Sequence, residues 1–186
     1  MIMNTKKLTL MAILTAIALI IFIIEAQIPL PIPIPGVKLG LANAVTLFAL
    51  FFGEKGKKNT TEPSSYTIIK LTTANALTIL LCRIILGAVF TGRPIAFVYS
   101  IAGGLLGFAA QVIMKRFVSN KQIWVCGAMG AVFHNIGQIT AAVIITGTPA
   151  IAAYLPILII AGVFTGVLTG LIAQFTLARL NNTAYN

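Results

Sequence analysis

The chain has 186 residues, 59% of them hydrophobic and only 9% charged, and a mean hydropathy of +1.02. Soluble domains carry about 25% charged residues, so this composition excludes a soluble globular class and points to an integral membrane protein. The net charge of +10 falls mostly between apolar runs, where membrane topology places it, and so signals no nucleic-acid partner.

Six transmembrane spans are expected in an all-α, single integral domain over residues 1–186. The first, 8–27, is too long for a signal peptide and more spans follow it. Ala12 and Ala16 lie one turn apart on it, a small-residue face that admits a close helix neighbour. Glu25 ends this span and is one of three acidic residues in the chain. Pro29, Pro31, Pro33 and Pro35 follow at every second position, then Gly36 and Lys38. Proline fixes φ and lacks an N–H, so this run reads as a stiff polyproline strap, a lid or one wall of a site.

The second span, 37–52, is short for a hydrocarbon core of about 30 Å and is expected to start below the surface, in a funnel of other helices. It carries Asn43. A polar loop over 53–65 leads to the third span, 66–91, with Arg83 inside it. The fourth, 95–114, bears Gly103, Gly107 and Gln111. The fifth, 123–147, holds His134, Asn135 and Gln138. The sixth, 150–178, is long enough to tilt, or to kink at Pro156, and carries Gly162, Gly166 and Gly170 at intervals of four. These glycines read first as intramolecular helix packing. Cys82 and Cys126 lie in apolar runs and read as free thiols.

Charge placement predicts the topology. Lys6, Lys7, Lys55, Lys57, Lys58, Lys70, Lys115, Arg116, Lys121 and Arg179 fall on one side, Lys38 and Arg93 on the other. By the positive-inside rule both termini are cytoplasmic and the strap faces outward.

Ionisable groups within spans are costly and suggest function by default. Depth follows from a rise of about 1.5 Å per residue. Glu25, Lys38, Asn43, Arg83, His134, Asn135 and Gln138 then share the outer half, beneath the strap, whereas Asn75 and Gln111 fall in the inner half. Lys38, Arg83 and His134 favour an anionic ligand group, which arginine grips bidentately. Each residue also has a structural reading. Arg83 pairs with Glu25 to lock two helices, Lys38 snorkels, Asn43 caps a helix, and His134, Asn135 and Gln138 bond across helices.

Catalysis finds little support. The chain has no aspartate, so an Asp-rich site for magnesium diphosphate is excluded. No nucleotide-phosphate loop occurs, the lone histidine has no nearby carboxylate, and no metal-ligand spacing is present. No cofactor is signalled, and ATP-driven work requires a partner.

The run LTLMAILTAIALIIFIIEAQIPLPIPIPGVKLGLANAVTLFALFFG resembles the start of the Gx transporter family, also labelled heptaprenyl diphosphate synthase component I. LCRIILGAVFTG, GGLLGFAAQVIMKR and GAMGAVFHNIGQITAA extend the resemblance over nearly the whole chain. The loop after Gly53 is longer than that pattern, which leaves the start of the third span open. The family is similar to the substrate-binding S components of energy-coupling factor transporters. That similarity implies a six-helix, multi-pass protein of the bacterial plasma membrane that captures a micronutrient such as a vitamin. It implies a transmembrane coupling protein and ATPases as partners, an Ala-x-x-x-Ala docking face matched by Ala12 and Ala16, and a ligand covered by the loop over 27–38. The synthase label implies prenyl diphosphate chemistry, for which the acidic residues are lacking. A noncatalytic accessory subunit of isoprenoid or quinone metabolism is the alternative, and a purely structural membrane subunit is a third reading.

Overall fold

The computed structural model describes residues 5–28, 37–53 and 70–183, with side chains through Leu180. The proline strap over 29–36 and the loop over 54–69 lie outside the described residues. Among the described residues the fold is all helical: α1 Thr5–Glu25, α2 Asn43–Phe51, α3 Thr73–Thr91, α4 Pro94–Met114, α5 Ile123–Thr146 and α6 Leu155–Thr183, with a 3-10 turn Pro149–Tyr154 before α6. Five helical stretches, all but α2, are long and apolar enough to cross a membrane. Their outward faces suit hydrocarbon: Val89, Ile144, Ile160 and Phe164 are each more than 70% exposed.

Helix α2 differs from the span read at 37–52. Residues 37–42 are not helical, and the helix begins at Asn43 after a turn in which the Asn43 and Ala44 amides donate to Gly40 and Leu41. Nine residues rise about 14 Å, roughly half a hydrocarbon core. The helix is nevertheless enclosed, since α2 touches all five other helices and its Leu47, Ala49 and Leu50 have no exposed surface. Irregular backbone at such depth is tolerated only when protein surrounds it, as here.

The start of α3 is also later than the sequence suggested. Thr72 and Asn75 form a capping box: Thr72 Oγ1 accepts from the Asn75 amide at 3.3 Å, and Asn75 Oδ1 accepts from the Thr72 amide at 3.0 Å. Asn75 therefore serves as a cap. Pro156 occupies the first turn of α6, where a missing N–H breaks no helical bond, so the change of course lies at the preceding 3-10 turn.

Glycines set the packing of α4, α5 and α6. A Cβ on Gly107 would stand 2.6 Å from the Gly130 carbonyl, and one on Gly166 would stand 2.5 Å from the Gly127 carbonyl. Both obstacles are backbone and cannot swing away. Gly166→Leu is therefore expected to drive α6 from α5, costing about 1–3 kcal/mol or more. Thermal unfolding in detergent should show a clear loss for Gly166→Leu and almost none for Thr176→Leu, on an exposed position of the same helix. Equal melting temperatures would contradict this packing.

Candidate functional site

The buried stripe of α1 runs Met11, Leu14, Ala18, Phe22, Glu25, at helical spacings of three and four. The stripe is apolar until its last member, so the fold that buries it also buries a carboxyl group, 4% exposed. Arg83 enters the interior in the same way, between Leu80, Ile84 and Gly87 on the buried face of α3, and is 2% exposed. Helix α5 contributes His134 and Gln138, one turn apart on one face. Asn43 is the first residue of α2, and Lys38 lies on the non-helical segment before it.

Six of the residues singled out in the sequence converge. Arg83 Nη2 donates to Asn43 Oδ1 at 2.9 Å. Gln138 clamps the segment at two points: Lys38 N–H donates to Gln138 Oε1, and Gln138 Nε2 donates to the Lys38 carbonyl, both at 2.8 Å. Glu25 accepts the Gly40 amide and also faces the Leu41 amide. His134 packs its ring against Gly40. The Lys38 ammonium sits 3.2 Å from the centre of the Phe22 ring, and the Arg83 guanidinium 5.6 Å from it. Glu25 lies within electrostatic reach of both bases. Two basic side chains thus face a single acidic one in a nearly water-free interior.

Not every hydrogen-bonding group is satisfied. Among the described residues, Arg83 Nε, His134 Nδ1, Thr46 Oγ1 and Asn135 Oδ1 are buried without a partner. Orphaned buried polar atoms are uncommon and call for a physical reason. Here an unused guanidinium N–H and an unused imidazole nitrogen belong to the same group.

Asn135 is not brought to this group. Its Nδ2 donates to the Leu158 carbonyl at 2.6 Å and stitches α5 to α6. Depth along the helix matched that of His134, but its angular position did not. Two members were missed. Phe22 lies three residues before Glu25 on the same face, a spacing that signals the contact. Gly40 adopts φ +83°, and a Cβ there would lie 2.8 Å from the His134 ring. Beside the group, a cleft between α2, α4, α5 and α6 offers about 10 Å3 to water centres, room for about one water.

The clamp at Gln138 has a measurable consequence. Gln138→Leu leaves the Lys38 N–H and C=O buried without partners, a loss of about 1–3 kcal/mol per group. Amide hydrogen exchange over residues 37–42 is expected to accelerate at least tenfold in this variant, since about 1.4 kcal/mol is a factor of ten. Unchanged protection would mean that Gln138 does not hold the segment.

Fold and site together define a polytopic helical membrane protein with a basic group sealed in its interior. The chain belongs to the family described as heptaprenyl diphosphate synthase component I, which matches residues 14–60 and 63–176. No curated protein and no solved structure matches it.

Proposed function

We propose that this chain is the substrate-binding subunit of a membrane uptake system, similar to S components of energy-coupling factor transporters. It captures a small molecule carrying an anionic group, such as a carboxylate-bearing micronutrient, from outside the cell. The observation that carries this reading is the buried group of Arg83, Lys38, His134, Gln138, Asn43 and Glu25, with unspent hydrogen-bonding capacity at Arg83 Nε and His134 Nδ1. A fixed, water-poor guanidinium is a strong anion receptor. The charge asymmetry of the sequence supports an orientation with this group toward the outside and both termini in the cytoplasm.

In this reading the structure is a closed state. The segment 37–42 takes up the carboxamide of Gln138 and the carboxyl of Glu25, groups that the ligand shares once the segment withdraws. Ala12 and Ala16 are exposed on one face of α1, beside the exposed Ile13 and Ile17. That face receives a transmembrane coupling protein, and ATPase subunits bound to it supply the energy. The protein itself carries out no chemistry.

A second reading follows from the family description: a noncatalytic membrane partner in heptaprenyl diphosphate metabolism. The two differ in what they bind. Ala12→Trp and Ala16→Trp are each expected to abolish co-purification of an energy-coupling transmembrane protein and its ATPases, with the fold retained because both positions face outward. Recovery of a soluble prenyl-transferring enzyme, undisturbed by either tryptophan, would favour the second reading and overturn the first.

A further inference from the structure

Among the described residues three charged side chains are buried, Glu25, Lys38 and Arg83. Glu25 is also the only acidic residue described, since Glu54 and Glu62 fall in the loop over 54–69. That loop leaves the chain at Gly53, past the end of α2 opposite Asn43. The strap over 29–36, which adjoins Glu25 and Lys38 in sequence, contains only proline, leucine, isoleucine and glycine. It brings no counter-charge.

The surroundings of each group suit its charged form. Arginine stays protonated in proteins. The Lys38 ammonium rests on the face of Phe22, a contact made for a cation. Glu25 meets the Gly40 and Leu41 amides and both bases, the setting of a carboxylate. His134 faces the same two bases, which exclude a third cation there, so its imidazole adds hydrogen bonds and no charge. Arg93 also reaches Lys38, but it is exposed and water screens it. Two buried bases against one buried carboxylate therefore leave one positive charge uncompensated. An unpaired charge in such an interior is costly.

We propose that this surplus selects the charge of the ligand: the site takes a group with a single negative charge, such as a monocarboxylate, and rejects phosphate esters and diphosphates. The proposal rests on the anion-binding reading above and names the ligand class within it. A monoanion leaves the buried group neutral, and Arg83 Nε–H, buried without a partner, is the donor left to receive it. A dianion reverses the imbalance and sets its second charge against Glu25 in a medium that screens poorly. Glu25 is then a specificity residue: it braces the Gly40 segment and also subtracts one charge from what the bases accept.

The test uses butanesulfonate and butyl phosphate, which share a tetrahedral head. At about pH 8, above the second phosphate pKa of about 6, they carry one and two negative charges. Both are titrated calorimetrically into the purified full chain in phosphatidylcholine nanodiscs, whose surface has no net charge. Wild type is expected to bind butanesulfonate about tenfold more tightly than butyl phosphate. Glu25→Gln keeps an oxygen for the Gly40 amide but removes the negative charge, and should reverse that order. Lys38→Met leaves the backbone clamp of Gln138 in place and balances the group. It should weaken butanesulfonate about tenfold, which keeps the proposal testable if Glu25→Gln misfolds. Equal binding of the two probes by wild type, a preference for butyl phosphate, or a wild-type order retained in Glu25→Gln would overturn the charge selection with anion capture intact. Undiminished butanesulfonate binding by Lys38→Met would do the same. Binding of neither probe to wild type would overturn the anion reading itself, and the charge selection with it.

Discussion

Arg83→Met is expected to weaken ligand capture about a hundredfold while leaving the protein as stable as before. The affinity loss follows from charged hydrogen bonds, worth about 1.5–3 kcal/mol each, and from Arg83 Nε, which has no partner among the described residues to spend itself on. The stability forecast follows from desolvation. A guanidinium that is 2% exposed was stripped of water on folding, and its direct bond is to a neutral amide, Asn43. Stripping a buried charge of its only partner is strongly destabilising, but here two bases face one carboxyl group, so Arg83→Met removes a surplus charge rather than the sole partner of Glu25. Lys38 remains to face Glu25, so the carboxyl group does not lose all its basic neighbours. Arg83→Lys keeps the charge but loses the planar fork and should bind with intermediate affinity. A purely structural Arg83 makes the opposite forecast: a lower melting temperature with affinity unchanged. Calorimetric titration and thermal unfolding of the same preparations separate the two.

Gly40→Ala is expected to unseat the segment that covers the site. At φ +83° an L side chain is strained by roughly 1–2 kcal/mol. At this position the new methyl would also meet the His134 ring at 2.8 Å and Asn43 Nδ2 at 2.9 Å. Gly92 supplies the control. It ends α3 at φ +60°, with nothing within 4 Å of its Cβ position. Gly92→Ala therefore carries the backbone strain alone, and the difference between the two variants isolates the collision with the site. Gly40→Ala should show the greater loss of thermal stability, together with faster amide exchange over 37–42 as the Gly40 bond to Glu25 opens. Matching losses in both variants would show that the segment gives way without cost.

Much of this organisation was legible from the chain alone. The spans read at 95–114 and 123–147 lie within a residue of α4 and α5, because Pro94 and Gly147 bound uninterrupted apolar runs. The span at 37–52 was read as all helix because an apolar run looks alike whether it is helical or a buried extended segment. The left-handed Gly40 is the local reason that residues 37–42 leave the helix. The buried polar group was visible through the expense of charge in a membrane: few polar residues occur in the spans, and those at matching depth largely meet. Depth carries no angle, which is why Asn135 was grouped with His134 although it faces α6. Depth also separates Gln111 from the outer group, although Gln111 lines the cleft beside it. Phe22 was passed over as one more apolar residue, yet its ring is the surface on which Lys38 rests. The strap of alternating prolines, 29–36, lies outside the described residues, and its place as a lid stays a proposal drawn from its position between Glu25 and Lys38.

The most direct measurement is mass spectrometry of the small molecules retained by the purified protein, wild type beside Arg83→Met. Anion capture at Arg83 predicts a single small acid at near-stoichiometric amount in wild type and its disappearance from the variant. No retained acid in wild type, or a long prenyl chain held equally by both proteins, would contradict it.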